Sequence, residues 1–343
     1  MIVDDYIEPA TLTGFVREVP APAFLSLNRW LPDVYIADIE AAITQMEQTN
    51  RVAKFRAFDA ETEVGERDTW RKSAIRIPPV GLKLPIGEEE RLKLERSRTG
   101  GNNYDAYVQA IYNDGANITR YVYNRLEMAR GDVLTDWKFT LAGEGNLKLE
   151  ADFGMPSGHN KAPGVLWSNH ANATPLADLA AWTQDYVDAN GFRPGYMQAS
   201  STVVFNMLMS AEVRQLAGNM NGVPSVVTED QLNQILRARR LPELVEYDTR
   251  LSVDNVDTRV IPEDKVLLLP PESAPLGRTV WGITAEALEL TQGQNPSLEF
   301  SELPGLVGVV MKEGDPVRTW TKVGATAMPL LDWPKRLMVA DVL

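Results

Sequence analysis

Apolar and small side chains recur in steps of three and four at Tyr104, Val108, Ile111, Gly115, Ile118, Val122, Leu126, Ala129 and Val133. That period lines one face of a helix, so a single amphipathic helix is predicted over 103–135. Asn102 or Asn103 can cap it, and Asp105 stands in the first turn, where the helix dipole favours an acid. At 1.5 Å per residue it would run roughly 50 Å, with Gly115 as the place to bend or break. Its flanks lack the sustained charges of a coiled coil, which favours a helix lying across a sheet.

Period-two alternation marks strands at 53–58 and 75–80, bracketing a charged tip at 59–72, and the simplest picture is a long hairpin-like loop. Alternation over 146–153 behind Gly143 and Gly145 predicts a β-hairpin across 138–153. Residues 176–187 read as helix, 199–205 as a strand rich in β-branched residues, and Thr228 to Gln231 as a capping box with a helix behind it. The run Val266, Leu267, Leu268, Leu269 reads as a buried strand closed by Pro270 and Pro271. Residues 305–311, 317–323 and 337–343 alternate as strands, and no internal repeat is visible. The mixture is α+β.

Charge changes the picture at 51–98, where twelve Lys/Arg and nine Asp/Glu are interrupted by Gly65, Pro78, Pro79, Gly81, Pro85 and Gly87. Such a segment buries little apolar surface of its own, so ordering it calls for contacts from elsewhere. It is net +3 in a chain of net −13, which leaves −16 on the remainder. A basic arm and an acidic body are complementary surfaces for copies of one chain; a solvated loop fits the charge alone equally well. Ahead of it, Pro9, Pro20 and Pro22 punctuate extended chain, and an apolar patch from Phe24 to Pro32 needs a cover.

With 343 residues, 44% hydrophobic and 24% charged, the chain has room for two modest cores. It contains no apolar run of about 18 residues to span a bilayer and no signal-peptide start, so it is expected to stay where it is made. The sequons at Asn117 and Asn172 are then chance occurrences. Cysteine is absent, which excludes disulfides, thiolate catalysis and zinc-thiolate sites. The acidic balance argues against binding nucleic acid by neutralising phosphates.

Catalytic patterns are weak. His159 and His170 lack metal-ligand spacing, and Ser157-Gly158-His159 fails the nucleophile-elbow pattern. Gly143-Glu144-Gly145 lacks the third glycine of a dinucleotide cradle. A hydrolase needs only two carboxylates about 5 to 10 Å apart, yet Glu88-Glu89-Glu90 and Glu229-Asp230 read as a solvated run and a helix start. Arg237, Arg239 and Arg240 suit a helix C-terminus better than a phosphate site. The scattered Trp167, Trp182, Trp281, Trp320 and Trp333 suit core or interface anchors.

Several segments, in order along the chain, carry a likeness: 25–32 with 38–40, 55–61, 78–80 through 84–88, 166–168, 230–236, 259–264, 281–288 and 315–320. Together they make the chain resemble the phage major capsid protein family typified by the phage lambda head protein, especially members from actinobacterial hosts. The resemblance implies an HK97-type capsid fold: an N-terminal arm over 1–50, an extended E-loop over 51–90, a P-domain over 91–164 with its spine helix at 103–135, an A-domain over 165–300, and a return to the P-domain over 301–343. It implies a virion protein, assembled in the host cytoplasm, whose copies form pentamers and hexamers. These would close an icosahedral head around double-stranded DNA, with portal, scaffolding and decoration proteins as partners. No catalytic residue, cofactor or metal is implied, and no membrane contact.

On this resemblance, Glu61, Glu63, Arg67 and Arg71 at the E-loop tip, with Phe55, are expected to lie on one neighbouring subunit, and Trp30 on another. An encapsulin-like shell protein is the nearest alternative, and a carboxylate-dependent hydrolase a more distant one.

Overall fold

The computed structural model describes residues 7–46, 70–87, 89, 104–142, 148–218, 226–292, 304–314 and 317–343. In chain order the elements begin with α1 (Pro9–Glu18), a 3-10 turn (Leu27–Arg29), β1 (Asp33–Tyr35), β2 (Glu40–Met46), β3 (Trp70–Arg76) and β4 (Pro79–Ile86). The helix α2 (Tyr104–Asp136) follows, then β5 (Lys138–Ala142), β6 (Lys148–Asp152) and β7 (Asn160–Lys161). Next come α3 (Pro175–Asn190), β8 (Tyr196–Ala199), α4 (Ser201–Met209), α5 (Ala211–Ala217), α6 (Glu229–Ala238) and β9 (Glu243–Glu246). Strands β10 (Arg250–Val253), β11 (Val256–Arg259), β12 (Lys265–Leu269) and β13 (Arg278–Trp281) lead to α7 (Ala285–Gln292). The chain closes with β14 (Val307–Gly314), β15 (Val317–Leu330), a second 3-10 turn (Pro334–Arg336) and β16 (Met338–Asp341).

The chain divides into two compact units. The first comprises Met1–Ala41, Ala74–Arg130 and Arg278–Leu330. Its sheet runs β1-β13-β15-β14, with β4 also paired to the long β15. Across it lies α2, 33 residues without a break at Gly115. The predicted seam is the buried face: Ile111, Ile118, Val122 and Leu126 pack with Trp281, Val310, Val323 and Ala325. Gly115 serves packing rather than bending, because a Cβ there would already touch Leu12 and Val16 of α1 at 3.4 to 3.5 Å. On its other side α1 rests on β14, where Thr13 Oγ1 donates to the Gly308 carbonyl at 3.1 Å.

The second unit comprises Ala42–Ser73, Gly131–Gly277 and Leu331–Leu343. Its sheet has the order β7-β16-β12-β8-β9, wrapped by α3 to α6 around a core that includes Trp167 stacked on Trp182 at 5.9 Å. Strand β12 is central and nearly all buried, which is why its sequence is an unbroken apolar run instead of an alternation. β13 and α7 fall inside 165–300 yet belong to the first unit, while β16 inside 301–343 completes the sheet of the second.

One predicted element differs. Residues 201–205 are helix and not strand, since β8 stops at Ala199 and the Ser200 side chain accepts from the Val203 N–H as an N-cap. The β-branched pair at Val203 and Val204 is buried in that helix, so the cap and the core outweigh intrinsic strand preference. The capping box at Thr228 and Gln231 is present with both hydrogen bonds, and β5 and β6 pair antiparallel across 138–152. The loop-like strand pair is β2 with β3, which brackets 47–69; the strand expected at 53–58 lies outside the described residues.

Candidate assembly surfaces

The arm is tied down by buried charge. Glu127 on α2 is fully buried; its Oε1 accepts from the Leu27 N–H at 2.9 Å, and its Oε2 faces Arg130 Nη1 at 3.3 Å. Arg130 also reaches Asp33 at 2.7 Å and donates through Nε to Thr279 Oγ1 at 2.9 Å. Thr279 in turn donates to the Leu31 carbonyl at 2.8 Å. One carboxylate and one guanidinium thus hold the Leu27 turn, β1 and β13 to a single helix, each charge compensated by the next.

This corrects the expectation for Trp30, which was to cover another subunit. It is 5% exposed within its own chain, beside buried Leu27 and Leu31, with the Arg29 guanidinium 5.0 Å from its ring centre. The aromatic left open on that segment is Phe24, 56% exposed. No signal in the 25–32 stretch could have paired Leu27 with Glu127, a hundred residues away. Phe55, Glu61, Glu63 and Arg67 lie outside the described residues, as does the side chain of Arg71 in β3.

Strand β4 has a free edge among the described residues, and proline guards it. The Ala327 N–H donates to the Pro78 carbonyl at 3.3 Å, so even-numbered residues of β4 exchange hydrogen bonds with β15 and odd-numbered ones face away. Positions 79 and 85 are prolines, so two of the four outward amides cannot donate. Strand addition at this edge is disfavoured.

In the second unit, β10 and β11 form a ribbon paired to neither larger sheet. Its turn residues Asp254 and Asn255 have φ of 50° and 63°, the left-handed pair that a type I′ hairpin turn requires. At its base Arg259 pairs with Asp248 and, at 3.4 Å, with Glu263, while Asp248 accepts from the Ser201 N–H at 3.0 Å. Burial raises the Asp248 pKa, but the bonds from Ser201 and Arg259 outweigh it and leave the carboxyl below its ordinary value. The tip keeps Val253 and Val256 exposed.

Each histidine has its Nε2 engaged within the chain. His159 is buried, with Nε2 3.0 Å from the Lys335 carbonyl, and burial depresses its pKa. His170 Nε2 lies 2.7 Å from Asn206 Oδ1. Among the described residues no group of three or more His, Cys, Asp or Glu is arranged to hold a metal, and no helix is long and apolar enough to cross a membrane.

One unit with a long helix across a β-sheet, and a second α/β unit carrying a separate two-stranded ribbon, define a protein of the HK97-type capsid fold. A prophage protein of E. coli CFT073 assigned as a capsid protein superposes with TM-score 0.63 at 13% identity, covering 100% of both chains. A phage-related protein of Bordetella bronchiseptica RB50 gives 0.56 at 12% identity over 96% of this chain and 95% of that one. An encapsulin complex from Synechococcus elongatus PCC 7942 reaches only 0.43 at 11% identity, over 95% and 89%, too remote to bear on function. No curated protein matches the chain in sequence. The family model described as phage major capsid protein E matches residues 8–342, and the chain belongs to that family.

Proposed function

We propose that the chain is the repeating subunit of a tailed-phage head, assembling as pentamers and hexamers into an icosahedral shell around double-stranded DNA. The observation that carries this reading is the family match over 8–342, and the full-length likeness in fold to a prophage capsid protein supports it. The first unit, with its long helix, serves as the P-domain and the second as the A-domain; 51–90 serves as the E-loop. Portal, scaffolding and decoration proteins are its further partners, and the virion is its destination after assembly in the host cytoplasm. A net charge of −13 suits a wall that encloses DNA without gripping it by sequence.

Negative-stain microscopy of the expressed chain tests the reading: closed shells of uniform size are expected, and a protein that stays monomeric at every concentration and salt overturns it. Charge reversal at Glu61, Glu63, Arg67 and Arg71 together is expected to abolish shells while the soluble subunit keeps its circular dichroism. Unchanged particle yield would remove the E-loop tip from assembly.

A further inference from the structure

The β10–β11 ribbon is amphipathic in a way that its own chain does not complete. Leu251, Val253, Val256 and Thr258 share one face, by the pairing of Leu251 with Thr258 and Val253 with Val256. Leu251 at the base is buried, but Val253 and Val256 are 41% and 64% exposed. A lone two-stranded ribbon is marginal in water; here the Asp248, Arg259 and Glu263 contacts fix its base, and the apolar end stays exposed.

A second apolar surface lies on the same unit. Residues 162–166 read Ala-Pro-Gly-Val-Leu, five in a row without a polar side chain, and Val165 and Leu166 are 39% and 49% exposed. The run is firmly mounted: the next residue, Trp167, is buried, and its N–H donates to the Val342 carbonyl at 2.8 Å. Exposed consecutive apolar residues on a fixed frame mark a contact site.

Topology relates the two surfaces. Strands β7 and β9 are opposite edges of one five-stranded sheet. β7 is parallel to β16, β16 antiparallel to β12, β12 antiparallel to β8, and β8 parallel to β9, so β7 and β9 run the same way. The 162–166 run follows β7, while the ribbon follows β9 and leads into β12, which places both beyond the same end of the sheet. A ring of identical copies needs this arrangement, because each contact in it is heterologous and joins two different patches.

Resting on the shell reading above, we propose that the ribbon tip of each copy, through Val253 and Val256, seats on the 162–166 run of the next copy around the capsomer ring. Within one chain Val253, Val256, Val165 and Leu166 all stay exposed, so neither surface covers the other.

Because the chain has no cysteine, a Val256→Cys, Leu166→Cys double variant isolates this contact. Shells of that variant, oxidised and run without reductant, are expected to give a ladder that ends at pentamer and hexamer. Each single variant should stay monomeric, and shells mixed from the two singles should stop at dimer. Shells that form normally but give no ladder overturn the contact and leave the shell reading standing. A wild-type chain that forms no shells overturns both. A Val253→Ser, Val256→Ser variant decides the matter should the cysteine pair disturb folding: at least about tenfold fewer particles are expected from a subunit of unchanged melting temperature, and a normal yield overturns the proposal.

Discussion

The N-terminal arm and the β10–β11 ribbon are both segments that leave a compact body, and they end in opposite states. The arm carries Leu27, Trp30 and Leu31, and its own chain buries all three. The ribbon carries Val253 and Val256, and they stay exposed. Their anchors explain the difference. Glu127 and Arg130 are almost wholly buried and bind the arm at the Leu27 backbone and the Asp33 side chain. Arg259, Asp248 and Glu263 are partly exposed and grip the ribbon only at its base. One projection is finished inside the subunit; the other is held up unfinished.

Breaking the arm's anchor should therefore have the largest effect. Glu127→Ala leaves the Arg130 charge buried without its carboxylate partner on the helix and strips the Leu27 N–H of its acceptor. Arg130 keeps Asp33 at 2.7 Å, so the cost is chiefly the unsatisfied buried N–H and one lost charge-assisted contact; a loss of about 2–3 kcal/mol is expected, read as a lowered midpoint in urea denaturation of the soluble subunit. A loss under about 1 kcal/mol would mean that the arm is not held by this pair.

The ribbon's anchor should matter less and more locally. Arg259→Ala removes a cation shared by two partly exposed carboxylates, so a cost of about 1–2 kcal/mol is expected, with faster amide exchange at 250–259 and little change elsewhere in the second unit. The turn is the next weakest point. Asn255→Val puts a β-branched residue at φ 63°, for which about 1 kcal/mol of strain is expected, whereas Asn255→Gly should be neutral or slightly stabilising. Equal effects of the two substitutions on the melting temperature would contradict the left-handed turn.

The contrast between arm and ribbon also marks how far the sequence could be read. The helix over 104–136 was legible because burial on one face imposes its period on the residues, and Thr228 with Gln231 announced the start of α6 by local chemistry alone. Trp30 was misread because the turn that carries it is fastened through Leu27 to Glu127 on a distant helix, and long-range pairing leaves no mark on local pattern. Residues 201–205 were misread because a single serine hydroxyl stops the strand. The ribbon was missed altogether. Asp254-Asn255 between valines is a hairpin signal, but it was overshadowed by the stronger apolar run of β12 just behind it.

The smallest expected effect is one of pH, and it separates the two anchors by exposure. The Asp248 carboxyl titrates below its ordinary value of 3.8 because the bonds from Ser201 and Arg259 outweigh the effect of burial. A depressed pKa in the folded state means that its contribution is full above 3.8, shrinks as pH falls past that value, and is gone once pH drops below the folded pKa. Asp248→Asn keeps an oxygen for the Ser201 N–H but loses the charge that faces Arg259. The variant should accordingly melt slightly below wild type at pH 7, and the gap should close as pH falls below 3.8. Added salt at pH 7 should narrow the gap as well, since this pair is open to solvent. It should leave the cost of Glu127→Ala nearly untouched, because the arm's charges are shielded from ions by the protein around them. A gap at Asp248 that ignores both acid and salt would assign its role to hydrogen bonding alone, and the ribbon's base would then be held no differently from an uncharged turn.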